Sequence, residues 1–195
     1  MNASATVEAL TPVVEALERQ HVDYRVGGSV ASSALGVPRS TLDVDIVCEI
    51  DLGHVKAFVE ALQGHYYVDE DMIRDAIRRG SSFNVIHLAT MLKVDVFVAR
   101  EGAYDELAFS RRTDVPLDAE GTGRSFHITT AEDIVLRKLQ WFEMGARVSE
   151  RQWNDALGVV RVQGTALDRK YLRRWAEELR LDGLLETLLG EADRE

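Results

Sequence analysis

The segment spanning residues 24–48, YRVGGSVASSALGVPRSTLDVDIVC, constrains the fold of this chain more than any other. A short apolar strand ends in Gly27, Gly28 and Ser29, a small helical segment follows, and the chain returns through Asp43 as a second strand. Glycines at a strand-to-helix turn let backbone N–H groups approach a phosphate closely, and the N-terminus of a helix favours negative charge. The turn at residues 27–29 is therefore predicted to be a phosphate cradle.

The second strand carries two acids, Asp43 and Asp45, at positions i and i+2. Side chains alternate across a strand, so both carboxylates point to one face while Val44 and Ile46 point to the other. Two adjacent carboxylates repel each other unless a cation or a proton relieves them, and Mg²⁺ accepts carboxylate oxygens together with water and phosphate. Two ordinary acids on a half-exposed strand would give the same short pattern, so the pair alone leaves both interpretations open.

A third acid, Asp95, lies in the run KVDVFV at residues 93–98, where every even position is valine. Asp95 is therefore expected to face away from the core, as Asp43 and Asp45 do. If the two strands are neighbours, the three carboxylates can meet at one point. Three acids can hold two metal ions, one aligning an attacking hydroxyl and the other neutralising a leaving pyrophosphate. This pattern predicts a metal-dependent enzyme that acts on a nucleoside triphosphate.

Composition limits the class of protein. A chain of 195 residues with 46% hydrophobic and 29% charged residues is predicted to be soluble and globular, with a real core. No apolar run reaches the length of a membrane span and no signal peptide is recognisable, so we expect a cytoplasmic location and no membrane partner. The single cysteine, Cys48, excludes an internal disulfide and is expected to be buried and inert. A net charge of −10 argues against a broad nucleic-acid-binding surface.

Hydrophobic periodicity predicts mixed elements up to residue 129 and helices alone from Thr130 onward. Strands are predicted at 24–26, 43–50, 82–88, 92–99, 114–117 and 126–128, the fourth forming a hairpin with the third and the last lying at a sheet edge. Helices are predicted at 7–20 (kinked or restarted at Pro12), 30–35, 55–62, 69–80, 103–111, 131–144, 149–162, 168–179 and 184–189, with a loop at 119–123. Thr130 and Ser149 are expected to be N-caps, the latter in a capping box. We expect an α/β (α+β) core over residues 1–129, and a helical C-terminal region, 130–195, packed on it.

The order of these motifs resembles the DNA polymerase β-type nucleotidyltransferase superfamily. The residues that carry the likeness are Gly27-Gly28-Ser29, then Asp43-Val44-Asp45-Ile46, then Asp95 on a later strand. The chain is most similar to the bacterial branch that contains AbiEii-type toxins, because residues 39–45, RSTLDVD, match its R-x-T-x-D-x-D run. Lys138 and Asp155 occupy the places of a helical lysine and a helical aspartate that follow the core in that branch. The resemblance covers about residues 20–162.

This resemblance implies a mixed sheet flanked by helices and a set of site residues. It implies that Gly27, Gly28, Ser29 and Lys138 contact the triphosphate, that Asp43, Asp45 and Asp95 bind two Mg²⁺ ions, and that Asp155 organises the site or takes part in catalysis. Arg39 could pair with Asp43 or touch phosphate, and the sequence does not choose. A solvated helix residue remains an alternative for Lys138, and an i,i+4 salt bridge to Arg151 remains one for Asp155.

Three functional hypotheses follow. The first is a Mg²⁺-dependent nucleotidyltransferase that moves a nucleoside monophosphate from an NTP to an acceptor hydroxyl on tRNA or protein, as the toxin of a toxin–antitoxin pair with an antitoxin partner. The second is a catalytically inactive protein of the same fold that serves as a binding or antitoxin-type module. The third is an enzyme that modifies a small molecule such as an aminoglycoside, for which the acidic composition would suit a cationic substrate.

Overall fold

The computed structural model describes residues 3–117 and 123–194 of the chain. Within these residues the helices are α1 Ala3–Glu18, α2 Gly28–Leu35, α3 Val55–Leu62, α4 Glu70–Arg79, α5 Ala103–Ser110, α6 Ala131–Met144, α7 Glu150–Gln163, α8 Arg169–Glu178 and α9 Asp182–Ala192. The strands are β1 Tyr24–Val26, β2 Asp43–Cys48, β3 Tyr66–Tyr67, β4 Ser82–His87, β5 Lys93–Val98, β6 Arg112–Pro116 and β7 Ser125–Thr129. None of the helices in these ranges has both the length and the apolar character needed to cross a membrane.

The strands form one mixed sheet in the order β3-β4-β5-β2-β1-β7-β6. β2 runs parallel to β5, and β1 runs parallel to β7. β1 is antiparallel to β2, and β4 is antiparallel to both β5 and β3, so the predicted hairpin of β4 and β5 is confirmed. Helices and a mixed sheet together confirm the predicted α/β class.

Two strands depart from the sequence-based prediction. β3, a pair of residues at Tyr66–Tyr67, was not foreseen, since two residues are too few to show alternation. β7 forms where a strand was predicted, but the prediction that it lies at a sheet edge is wrong. It lies between β1 and β6, because Phe126 and Ile128 are fully buried and Ile128 pairs with Val26. Of the loop predicted at 119–123, all but Gly123 lies outside the described residues.

Side-chain caps form at some of the described helix termini and not at others. The Thr130 hydroxyl accepts a hydrogen bond from the backbone N–H of Asp133 at the start of α6. Asp69 caps the N-terminus of α4, and Gly80 caps its C-terminus. The capping box predicted at Ser149 is wrong, because its side chain makes no cap hydrogen bond. α1 runs through Pro12 as one continuous helix, so the predicted restart at this residue is also wrong.

The chain divides into two compact units, one formed by Met1–Gly27 with Ser40–Ile128 and the other by Gly28–Arg39 with Thr129–Glu195. In the first unit α1 packs on α3 and on the sheet, whose apolar face includes the fully buried Cys48. Burial raises the pKa of this thiol to about 12, which accounts for an inert cysteine. In the second unit α6 and α7 form a tight pair that also packs against α2, α8 and α9. The division into domains at residue 129 stays a prediction.

Candidate active site

The three strand acids of the first unit lie on one face of two neighbouring strands. β2 and β5 are paired in parallel, with Asp45 directly opposite Asp95 and Asp43 opposite Lys93. Val44 and Val94, on the other face, are buried in the core, whereas the three acids are half-buried. The alternation of valine and aspartate thus places the three carboxylates on one face of the sheet. We call Asp43, Asp45 and Asp95 the acid face.

Two polar side chains hold members of the acid face. The Thr41 hydroxyl lies 2.6 Å from Oδ1 of Asp43 and donates a hydrogen bond to it. The ammonium Nζ of Lys93 lies 2.7 Å from Oδ2 of Asp95. This hydrogen bond raises the pKa of Lys93, and the negative charges of Asp95, Asp43 and Asp45 raise it further. Burial acts in the opposite direction but is outweighed, so the lysine is charged at neutral pH.

Sequence reasoning missed Lys93 and Asn84. Lys93 precedes Asp95 by two residues, so the alternation that placed the acids could have found it. Asn84 pairs with Asp95 across the antiparallel β4–β5 hairpin and lies on the same face, because Phe83 and Val85 are buried on the opposite one. Only the hairpin register locates Asn84, and its amide could add a neutral oxygen beside the carboxylates.

The donor chemistry of the acid face fits a divalent cation. Carboxylate and amide oxygens are the ligands that Mg²⁺ prefers, and three acids with Asn84 offer both kinds. As the side chains stand, no group of three His, Cys, Asp or Glu residues within 3–117 and 123–194 is arranged to hold a metal ion. One carboxylate oxygen of Asp95 is bound to the Lys93 ammonium. A metal ion that uses this oxygen has to compete with that ammonium.

The second unit contains a charged cluster built around Asp155 of α7. Nε and Nη2 of Arg39 lie 2.6 and 2.9 Å from the two carboxylate oxygens of Asp155, and Nζ of Lys138, on α6, lies 2.7 Å from Oδ2. Arg39 also donates a hydrogen bond to the hydroxyl of Ser29, in the first turn of α2. We call Ser29, Arg39, Lys138 and Asp155 the cationic cluster, since two positive charges face one negative charge.

Burial distinguishes the interpretations that the sequence left open. Lys138 and Asp155 have side chains only 6% and 5% exposed, so Lys138 is not a solvated helix residue. The partners of Asp155 lie on α6 and in the loop after α2 and not on its own helix, so the alternative of a salt bridge to Arg151 is wrong. Burial by itself would raise the pKa of Asp155, but the hydrogen bonds and charges of Arg39 and Lys138 outweigh it and lower that pKa.

The backbone N–H groups of the predicted glycine cradle have different partners. The N–H of Gly27 donates to the carbonyl oxygen of Asp45 at 2.9 Å, so it belongs to the sheet. Gly28 begins α2 with φ of +57°, a conformation that glycine adopts at no steric cost. The first N–H groups of a helix have no partner within it, so those at the start of α2 are the ones suited to an anion.

Comparisons with solved structures show which known proteins have a similar fold. No protein-family model and no curated protein matches the chain. The solution structure of the antibiotic-resistance factor ANT(2″)-Ia is similar over 96% of this chain and 98% of its own, with 20% identity and a TM-score of 0.55. A crystal structure of ANT(2″)-Ia with adenylyl-2″-tobramycin gives 18% identity and a TM-score of 0.56 over 91% and 97%.

A third similar structure is an antigenic nucleotidyltransferase-like protein from Paracoccidioides brasiliensis, with 15% identity and a TM-score of 0.54 over 93% of this chain and 91% of that one. The fold of this chain is therefore that of nucleotidyltransferases. Identities this low establish the fold alone, and the activity has to be argued from the site.

Proposed function

We propose that this chain is a Mg²⁺-dependent nucleotidyltransferase that moves a nucleoside monophosphate from an NTP to an acceptor hydroxyl. The observation that carries the proposal is the register that sets Asp45 opposite Asp95, with Asp43 on the same face. Three half-buried carboxylates on one face of two adjacent strands repel one another, and a bound cation would relieve that repulsion.

The residues of the acid face would hold the metal. The sequence-based expectation is that two Mg²⁺ ions bind there. Bound Mg²⁺ would activate the acceptor hydroxyl and neutralise the leaving pyrophosphate. Thr41 donates a 2.6 Å hydrogen bond to the Asp43 carboxylate and so helps to orient it. Asn84 would add a neutral ligand next to Asp95.

The cationic cluster would bind phosphate. Its two positive charges exceed the single negative charge of Asp155, and Ser29 adds a hydroxyl at the first turn of α2. Charge-assisted hydrogen bonds from arginine to phosphate are among the stronger polar contacts in proteins. We therefore assign Ser29, Arg39 and Lys138, with the N–H groups that follow Gly27 and Gly28, to the nucleotide phosphates. Asp155 is assigned to positioning Arg39 and Lys138.

Two classes of acceptor are proposed for the transfer. The resemblance to the AbiEii-like branch favours a hydroxyl of tRNA or protein, in a toxin–antitoxin setting with an antitoxin partner. A small cationic molecule is the second candidate, favoured by the net charge of −10, which attracts cations. The adenylyl-tobramycin complex of the similar ANT(2″)-Ia structure supports this second class.

Calorimetric titration of each NTP, with Mg²⁺ and then with EDTA, tests the proposal. We expect binding that requires the metal and that Asp45→Asn or Asp95→Asn abolishes while the fold is retained. Asp75→Asn is the matched control, because Asp75 is an exposed acid of the same unit that pairs with Arg79 on α4. Labelling from α-³²P NTP with tRNA, protein or an aminoglycoside then identifies the acceptor. NTP binding that persists in both Asp45→Asn and Asp95→Asn, or that is unchanged by EDTA, would refute the metal-dependent site. It would favour an inactive binding module.

A further inference from the structure

Lys93 stands among the carboxylates of the acid face. It is the first residue of β5, it shares a strand face with Asp95, and it pairs in register with Asp43. Its ammonium lies 2.7 Å from one oxygen of Asp95. The side chain is 43% exposed, against 19% for that of Asp95, so the ammonium reaches the acids from the solvent side.

The charges explain why a cation of the chain lies there. Three carboxylates on two adjacent strands carry three negative charges, and one tethered ammonium reduces their mutual repulsion without any bound ion. An ion pair with so exposed a lysine contributes little to the stability of a fold. A four-carbon stem with several rotatable bonds lets the ammonium move into water at little cost. The contact is therefore weak, and a bound metal ion can displace it.

We propose that Lys93 is a tethered counter-ion of the acid face, which a divalent cation displaces when it binds Asp43, Asp45 and Asp95. This inference rests on the proposed function, because it takes the acid face to be the metal site. A divalent cation on the Asp95 carboxylate would repel the ammonium that lies 2.7 Å from Oδ2, so metal binding weakens that contact. Lys93 thus lowers the affinity for metal and reduces the repulsion among the carboxylates while no metal is bound.

Calorimetric titration of Mn²⁺ into metal-free protein tests the exchange. Lys93→Met removes the charge and keeps most of the stem, and we expect it to bind Mn²⁺ about tenfold more tightly than the native protein, a difference of about 1.4 kcal/mol. Lys93→Arg keeps the charge and should bind close to the native affinity. The matched control is Lys56→Met, because Lys56 is an exposed lysine of the same unit that pairs with Glu60 on α3, and its affinity should not change.

Thermal unfolding supplies a second readout that needs no activity. In EDTA the Lys93→Met protein should unfold at a lower temperature than the native one, since no ammonium then reduces the repulsion among its carboxylates. Saturating Mn²⁺ should then raise its Tm by more than it raises that of the native protein. Both results together support displacement of the ammonium by the metal.

Three results would overturn the inference. Native protein that binds Mn²⁺ while Lys93→Met binds no more tightly would refute the exchange and leave the metal site standing. Saturable binding in neither protein would refute both the exchange and the proposed metal site. Weaker NTP binding at unchanged Mn²⁺ affinity would instead make Lys93 a contact of the substrate.

Discussion

Asp155 keeps a negative charge inside a helical unit because two cations bind its two oxygens. Burial by itself would raise the pKa of this carboxylate and so disfavour its charged form. Removing one partner of a buried pair leaves the other as an uncompensated charge, and this is far more costly than losing a surface ion pair. Asp155 is therefore the residue of the cationic cluster whose loss should be most visible in the stability of the fold.

Asp155→Asn should lower the free energy of unfolding by about 3 kcal/mol at pH 7, because it leaves the buried Lys138 ammonium without its counter-charge. The folded-state pKa of Asp155 lies below the ordinary value of 3.8, so the stability that its charge supplies is present above pH 3.8. That stability is lost as the pH falls through the lower folded-state pKa. The gap between native and variant protein should thus be constant from pH 7 to about 5 and close below about 4. Urea unfolding at several pH values measures it.

The control for this prediction is Asp75→Asn, which breaks an exposed i,i+4 pair with Arg79 worth a few tenths of a kcal/mol. A gap for Asp155→Asn that did not shrink in acid would mean that packing, and not the charge, accounts for the loss. An equal loss in both variants would also contradict the buried ion pair.

Thr41 should act on metal affinity through Asp43. Thr41→Val keeps the shape of the side chain but removes the hydroxyl that lies 2.6 Å from Asp43 Oδ1. Partners that orient a ligand typically change metal affinity by about 10- to 100-fold, so Mn²⁺ binding should weaken within that range. Calorimetry with Thr113→Val, an exposed position on β6, as control measures the effect. Equal Mn²⁺ affinities for Thr41→Val and the native protein would show that Asp43 needs no such support.

What the sequence reveals at single positions depends on how far apart the partners lie. The acid face was predictable because alternation within β2 and β5 fixes which way each carboxylate points. Lys93 follows from the same alternation. Arg39 and Asp155 are 116 residues apart, and no local pattern relates them, so only the packed helices bring them together. The resemblance to a family pointed to both residues but not to their contact.

The loop after α2 approaches α7 too closely for a side chain. A Cβ added at Gly36 would lie 2.8 Å from the backbone atoms Ser32 O and Val159 N, a distance that requires the backbone to move. On the same helix, a Cβ added at Gly158 would lie 3.2 Å from the Val37 side chain. These glycines set the distance at which the loop that leads to Arg39 crosses the helix of Asp155.

Gly36→Ala should destabilise the protein by about 1–3 kcal/mol, the usual cost of overpacking. Gly190→Ala is the matched control, because Gly190 lies inside α9 and an added Cβ meets nothing within 4 Å. Alanine should stabilise that helix by up to about 1 kcal/mol. Chemical denaturation of both variants measures the two effects, and two changes of the same sign would contradict the close approach.

Helices and strands were predictable where a local signal is strong. Thr130 and Asp69 cap their helices through their side chains, and the bounds of α3 and α6 agree with periodicity. Ser149 occupies the N-cap position of α7, as predicted, but its side chain makes no cap hydrogen bond. The geometry of the preceding turn decides whether a side chain reaches the helix N–H groups. The position of β7 between two strands also depends on pairing, which alternation within one strand cannot reveal.

The second unit is built from two separate pieces of chain. Residues 28–39 pack with α6 and α7, although 89 residues of the other unit lie between them and Thr129 in sequence. Gln163 donates a hydrogen bond of 2.7 Å to the carbonyl oxygen of Leu35, and Arg39 binds Asp155. A division read along the chain assigns residues 28–39 to the part that precedes residue 129, because sequence order does not show which segments share a core.

This packing predicts the behaviour of a fragment cut at the sequence-based boundary. Residues 130–195 alone lack α2, so Asp155 keeps Lys138 but loses Arg39, and the surface of α7 that meets Gly36 is open to water. We expect the fragment to be less helical than the same residues in the full chain and to unfold without a cooperative transition. Circular dichroism during urea titration measures both properties.

A synthetic peptide of residues 28–39 should restore helicity and cooperativity when it is added to the fragment, because it returns both the α2 packing and the Arg39 guanidinium. The same peptide with Arg39→Ala keeps the packing and should restore less, while a scrambled peptide of equal composition should restore nothing. A fragment that unfolds cooperatively by itself, with no response to the peptide, would show that the C-terminal helices fold alone and would favour the division at residue 129. Restoration by the native peptide would show that the ion pair and the helix are parts of one cooperative unit assembled from both segments.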